Sequence, residues 1–208
     1  MIIAVDGPAA SGKGTIARAL AGHYRLPHLD TGLLYRAVGV TVLRAGGDPA
    51  DAEDALHACN FPDALLGDPT LKSEAGGRAA SLVSVHQQVR DALLERQRLF
   101  AAQPGGAVLD GRDIGTVIAP HADAKLFVTA SAEIRAQRRF RELCGAGESA
   151  SFDEVLADIR ARDDRDTNRP AAPLRRAADA DLLDTTDLSI DAAVQRAIAL
   201  VEGHKASR

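Results

Sequence analysis

The chain has 208 residues, 46% apolar and 26% charged, with 25 basic against 29 acidic side chains. That composition predicts one soluble globular domain, and a formal charge of -4 argues against wrapping nucleic acid or coating an anionic membrane. Cys59 and Cys144 have no second Cys or His at ligand spacing, which excludes a disulfide framework or zinc module and fits a reducing cytoplasm.

The opening run Met1 to Val5 is too short for a signal-peptide core and has no basic residue before it. No stretch of about 18 apolar residues occurs, so no membrane partner is expected. Short apolar runs alternate with longer amphipathic ones, the pattern of a parallel sheet with helical crossovers. Candidate strands are Ile2 to Val5, Pro27 to Leu29, Ala107 to Leu109, Lys125 to Thr129 and Asp181 to Leu183, each with a helix-like segment after it. Helices are expected over Lys13 to Tyr24 and over Thr31 to Ala45, the latter capped by Asp30 or Thr31.

About 77 residues separate the second and third strands, too many for a simple crossover, so an inserted subdomain is expected over about 31–100. It holds a helix near Asp51 to Cys59, a turn at Gly67-Asp68-Pro69 and a helix-rich stretch to Phe100. After the fourth strand, Ser131 caps a helix to about Cys144, stopped by Gly145. Ser151 and Glu154 form a capping box, with Phe152, Val155, Leu156 and Ile159 as one buried stripe, and Pro170 closes that helix. Ser189 opens the last helix, with Ile190, Val194, Ile198 and Val201 expected to face inward. The small polar run from Gly145 to Ser149 suggests a mobile lid at about 140–150, set in a core of 1–30 and 101–208.

Gly7-Pro8-Ala9-Ala10-Ser11-Gly12-Lys13-Gly14-Thr15 follows a strand and opens a helix, the context a phosphate-binding loop requires. Its glycines let consecutive amides turn toward one anion at the positive end of the helix. Lysine occurs only at 13, 72, 125 and 205 in a chain with 21 arginines, so a Lys at 13 reads as a need for a compact ammonium. Gly14 stands where the general pattern has a hydroxyl residue, and Thr15 supplies the hydroxyl. A GTPase would also need an Asn-Lys-x-Asp guanine reader, yet Asn occurs only at 60 and 168, with no Lys after either.

Three further runs accompany the loop: Leu29-Asp30-Thr31-Gly32-Leu33-Leu34-Tyr35-Arg36, Asp110-Gly111-Arg112-Asp113-Ile114-Gly115-Thr116, and Arg162-Asp163-Asp164-Arg165-Asp166-Thr167-Asn168-Arg169. Together they resemble the bacterial cytidylate kinase family over nearly the whole chain. The adenylate kinase family shares the loop variant but carries Asp-Gly-Phe-Pro-Arg where this chain has Asp-Gly-Arg-Asp. The resemblance implies an α/β P-loop kinase fold, a five-stranded parallel sheet flanked by helices, with an acceptor-binding insertion and a short lid. It implies phosphoryl transfer from ATP to CMP or dCMP, with Mg²⁺ held through Thr15 and Asp110, the latter through water. A turn or helix cap is the alternative role for Asp110.

By the same resemblance Thr31, Tyr35, Arg36, Ser81, Arg90, Arg112, Asp113, Arg162, Asp166 and Arg169 line the CMP site. Arg36, Arg112 and Arg169 would hold the acceptor phosphate, Arg162 and Asp166 the ribose, and Ser81, Arg90 and Asp113 the cytosine. Thr31 keeps the hydroxyl of the Ser found in some members, and the β-rich part of the insertion is expected to be reduced here. From spacing alone, Arg135, Arg138 and Arg139 fall on one helical face that suits a triphosphate; a solvated face balanced by Glu133 and Glu142 is the alternative. The cluster Arg162, Arg165 and Arg169 reads alternatively as a surface salt-bridge ladder. The candidate catalytic groups are Lys13, Arg112, Arg169 and Arg138, since phosphoryl transfer depends on positioning and charge. A monomer is the default. Lys13→Ala is expected to abolish transfer while sparing CMP affinity, with activity within about tenfold of wild type overturning the loop assignment.

Overall fold

A computed structural model of the chain describes residues 1–145 and 147–206. Ala146, inside the expected lid, lies outside the described residues. Five parallel strands form one sheet: β1 (Ile2–Asp6), β2 (His28–Asp30), β3 (Ala107–Gly111), β4 (Ala124–Thr129) and β5 (Asp181–Asp184). They lie in the order β2-β3-β1-β4-β5. Strand order reverses between β1 and β3, which opens a crevice at their C-terminal ends. The expected second strand is shifted by one residue and the third extended by two, because Asp30, Asp110 and Gly111 continue the ladders (Asp30 opposite Asp110, Gly111 opposite Asp6) into that crevice.

The apolar runs work because alternate residues serve opposite faces. Ile3 and Val5 bury against helix α1 (Lys13–Tyr24) and helix α8 (Ile190–Ala206), meeting Ile16, Leu20, Ala197 and Val201. Ala4 and Leu109 face the other way onto Ile114, Ile118 and Ala101. In α8 Val201 is buried and Val194 and Ile198 pack partly buried against the same core, as expected, together with Ala193 and Ala197, while Ile190 is 68% exposed, correcting the expectation that Ile190 faces inward. After β3 there is no amphipathic helix, only a π-type turn over Ile114–Ile118.

Residues between β2 and β3 form helices α2 (Thr31–Arg44), α3 (Ala52–His57), α4 (Glu74–Val83) and α5 (Gln87–Ala101), with 3₁₀ turns at Asp63–Gly67 and Pro69–Lys72. They share a core of their own, built on Leu34, Val38, Leu71, Val83 and Leu93. Asp51 caps α3 through the amides of Glu53 and Asp54. Asp30 sits at the N-cap position of α2 without a side-chain capping bond. Helix α6 (Ala132–Gly145) packs on α7 (Phe152–Asn168), whose start carries the Ser151–Glu154 capping box. Val155 and Ile159 are buried there, whereas Phe152 is 36% exposed and sits edge-on to Phe140, another departure from the expected stripe. Among the described residues no helix is long and apolar enough to cross a membrane.

Gly39 fixes how closely α2 and α4 approach: a Cβ there would lie 2.7 Å from the Ala79 Cβ and 2.8 Å from its carbonyl carbon. Gly39→Ala must therefore push α4 outward, and overpacking of this kind costs about 2 kcal/mol. Chemical denaturation should show that loss, together with weaker acceptor binding, because α4 carries Ser81 into the crevice.

Candidate active site

The phosphate-binding loop is shaped by backbone conformations few residues allow. A Cβ on Gly7 would lie 2.0 Å from the Val128 carbonyl oxygen, so only glycine lets the loop leave β1 there. Ala10 (φ 57°) and Gly12 (φ 88°) are left-handed, which bends the loop into α1. The first intrahelical bonds run from the Thr15 and Ile16 amides to the Gly12 carbonyl, leaving earlier amides at the positive helix end for an anion. Among the described residues Lys13 Nζ donates one bond, of 3.3 Å, to the Pro8 carbonyl. Burial pushes its pKa down to about 7, helped by Arg112 and opposed by Asp110 and Asp30. An ammonium so placed lacks a carboxylate partner and is completed by an incoming anion.

Opposite the loop lies a cavity of about 620 Å³. All ten sequence-predicted acceptor residues line it: Thr31, Tyr35, Arg36, Ser81, Arg90, Arg112, Asp113, Arg162, Asp166 and Arg169, together with Ala9, Ala10, Lys13 and Gly14. Five segments bring them there: α2, α4, α5, the turn after β3, and α7 with the residue that follows it. Arg112 Nε donates to Asp166 at 2.7 Å, and with Arg162 it holds the Asp166 carboxyl below its ordinary range against the upward push of burial. Arg90 is paired with Asp113 in a buried salt bridge, and its guanidinium lies 5.5 Å from the Tyr35 ring centre. Arg36 donates to the carbonyls of Leu71 and Ser73. The Thr31 hydroxyl donates to the Asp110 carbonyl at 2.8 Å.

Two arginines make contacts that their sequence assignment did not anticipate. Arg169 was grouped with Arg36 at the phosphate, yet it stands 3.7 Å from Asp113 and donates to the Ala172 carbonyl, at the Arg90–Asp113 end. Arg162 was placed at the ribose with Asp166, yet it also stands close enough to Lys13 to push the lysine's pKa down. Its Nε is buried without a hydrogen-bond partner. Burial, then Arg112, lowers its own pKa to about 10. A buried guanidinium among other cations has the signature of an anion site.

The arginines of α6 do not act as one face. Arg135 makes a bidentate pair with Asp163 and donates to the Ala9 carbonyl, bracing the loop. Arg138 donates to Thr185 and the Ser11 carbonyl, and Arg139 reaches across the cavity to Glu74 of α4. Helical spacing could not reveal this, since each side chain follows the nearest acceptor in space. Arg165, which the sequence grouped with Arg162 and Arg169 without a role of its own, donates to the Ser81 hydroxyl at 3.1 Å.

Asp6 and His28 were also missed. Asp6, one residue before Gly7, accepts from the amides of Ile114 and Gly115 at 2.8 and 2.7 Å, directly after Arg112 and Asp113. It thus ties the two loops together. Burial raises its pKa to about 7 against those two amides. The Asp-Gly after β1 could have signalled it. Nothing in the sequence marks His28, whose partner lies 82 residues away.

Oxygen donors suited to Mg²⁺ are present in the Thr15 hydroxyl at the start of α1 and in Asp110 and Asp30 at adjacent strand ends. Among the described residues no group of three or more His, Cys, Asp or Glu side chains could hold an ion unaided. That donor set fits an ion arriving with a triphosphate and keeping part of its water shell.

A doubly wound parallel sheet with a phosphate loop at its switch point and an arginine-rich cavity facing the loop defines a P-loop kinase. The model of the cytidylate kinase family matches residues 3–203, and the chain belongs to that family. It is 59% identical to the cytidylate kinase of Xanthobacter autotrophicus over 100% of both chains. It is 56% identical to that of Rhodopseudomonas palustris strain TIE-1, covering 100% of this chain and 99% of the relative. A solved structure of an uncharacterised protein from Eubacterium ventriosum, 16% identical, covers 98% of each chain with a TM-score of 0.60 and shares the fold.

With its pKa near 7, Lys13 is about half protonated in the free protein at neutral pH, and triphosphate anions raise that pKa by stabilising the charged form. Nucleotide binding should therefore take up a proton near pH 7.5, and affinity should fall by up to about tenfold per pH unit above that. Calorimetry in buffers of different ionisation enthalpy reads this directly; Lys13→Ala should remove the uptake.

Proposed function

We propose that the protein transfers the γ-phosphoryl group of ATP to CMP or dCMP, giving ADP and CDP or dCDP. The observation supporting this most is that one cavity is lined both by Lys13, Arg112 and Arg162, close enough for both arginines to act on the lysine, and by Ser81 and the Arg90–Asp113 pair. ATP occupies the loop from Gly7 to Thr15, with its phosphates against the loop amides and Lys13. CMP occupies the cavity, its phosphate toward Arg36, Arg112 and Arg162 and its base toward Ser81, Arg90 and Asp113. Arg169 sits at the base end, where it holds Asp113.

The transition state spreads charge over the equatorial oxygens of the moving group, so pre-placed cations supply most of the rate. Arg112 is oriented by Asp166 and Lys13 by the loop, so little reorganisation is needed. The acceptor phosphate is already largely ionised at neutral pH, and no side chain has to remove a proton. Thr15 and, through water, Asp110 would hold a Mg²⁺ arriving with ATP, which would supply positive charge against the donor phosphates. The segment 31–100 serves as the acceptor-binding insertion and 140–150 as the lid, closing to exclude water. Free Cys59 and Cys144 suit a reducing cytoplasm.

Cytosine presents acceptors at O2 and N3 and a donor at N4, matching an Arg that donates and an Asp that accepts. Uracil reverses both matched atoms. A coupled assay with CMP, dCMP, UMP and AMP tests the substrate reading: CMP and dCMP should exceed the others by about 10³ or more in kcat/KM. Preference for UMP or AMP would replace this function with that of a related kinase, and no turnover with any would mean a nucleotide-binding protein without transfer. Asp113→Asn should lower the CMP-to-UMP ratio while leaving the KM for ATP within about twofold, since its amide can turn toward O4 of uracil. An unchanged ratio would make Asp113 only the structural partner of Arg90.

A further inference from the structure

His28 opens β2, opposite Val108, and in a parallel ladder Asp30 and Asp110 fall on the same sheet face two residues further on. Val108 packs with Ile16 and Leu20 of α1, so this is the face beneath the start of α1, where Lys13 lies. Two carboxylates therefore end adjacent strands under the lysine that the donor phosphates need. Each is close enough to act on Lys13 electrically, yet neither makes a salt bridge with it. Asp110 is instead held at its Oδ1 by His28 Nε2, at 2.7 Å. With the carboxylate accepting, the ring proton sits on Nε2. The other oxygen, Oδ2, points at the first turn of α1, 3.7 Å from where a Cβ on Gly14 would be. Asp110 is 3% exposed and His28 17%, so water competes little for this bond.

We propose that His28 is a positioning residue for phosphoryl transfer: it anchors Asp110 by one oxygen, so that the carboxylate cannot swing onto Lys13 and its other oxygen stays aimed at the donor site. This rests on the kinase reading above. A buried ammonium beside an unrestrained carboxylate would close a salt bridge. The pair would then have to be broken each time a triphosphate bound. The His28 bond prevents that while leaving the Asp110 charge where a metal-bound water can meet it.

The test uses ADP binding by calorimetry, with and without Mg²⁺, alongside steady-state kinetics of the full chain. His28→Leu should weaken metal-free ADP binding about tenfold, the scale of one hydrogen bond to a charged group. It should also reduce the gain in affinity that Mg²⁺ gives. The KM for CMP should stay within about twofold, whereas a general loss of structure would move both substrates. His28→Gln, whose amide reaches as far as Nε2, should restore ADP affinity to within about threefold. His28→Asn, too short to reach Asp110, should behave like His28→Leu and serves if that variant does not fold. In an Asp110→Asn background, His28→Leu should change ADP affinity less than twofold, because the group it restrains is no longer charged.

ADP affinity unchanged in His28→Leu, no rescue by His28→Gln, or an undiminished effect in the Asp110→Asn background would each overturn the proposal. The binding arms do not depend on which acceptor is phosphorylated. Failure of CMP turnover in the wild type would therefore count against the substrate reading alone.

Discussion

Around one cavity, burial and neighbouring cations, Arg112 among them, lower the proton affinity of Lys13, Arg36 and Arg162, while Asp166 keeps that of Arg112 raised. Bringing like charges together in a half-buried volume is unfavourable unless something anionic completes it. Most carboxylates in the cavity orient a particular arginine, as Asp166 does for Arg112 and Asp113 for Arg90. Arg162 Nε and the Lys13 ammonium are left without such partners. The rest of the molecule supports this deliberate imbalance, which substrate phosphates relieve, and cations held in place beforehand stabilise a transition state without rearranging.

The fold meets that requirement by bringing several chain ends to one place. Parallel strands direct all their C-terminal loops to the same edge of the sheet, and the reversal between β1 and β3 opens room among them. Asp6 fastens the two central loops together, since its carboxylate accepts the amides that follow Arg112 and Asp113 while its own chain continues into Gly7. The helices between β2 and β3 keep a separate hydrophobic core. Their polar links to α6 and α7 include the Arg139–Glu74 and Arg78–Asp158 ion pairs and the Arg165–Ser81 bond, beside the buried Arg90–Asp113 bridge to the turn after β3. Ion pairs at the surface such as Arg78–Asp158 contribute little individually.

How much of this was legible in the sequence depended on the range of the interaction. The phosphate loop was readable because its glycines, lysine and flanking strand and helix are contiguous, and backbone geometry there depends on local residue type. The capping box of α7 was readable for the same reason. The inward face of α8 was legible at Val194, Ile198 and Val201, whereas Ala193 and Ala197 share it without standing out in a hydrophobic pattern and Ile190, at the helix start, is exposed. The arginines of α6 diverge to Asp163, Thr185 and Glu74, acceptors on three other elements that helical spacing does not encode.

Sequence alone determined the phosphate loop and the alternation of strands and helices, because loop chemistry and hydrophobic period are properties of neighbours along the chain, and the resemblance carried by its arginine-bearing runs pointed to the acceptor residues. Tertiary structure decided which cation is neutralised and which is left unpaired. That Arg169 lies with Asp113, that Arg162 lies near Lys13, and that His28 holds Asp110 follow from distances between residues 56 to 149 positions apart. Electrostatic interaction depends on those distances and on burial, and a linear sequence specifies both only once the chain has folded.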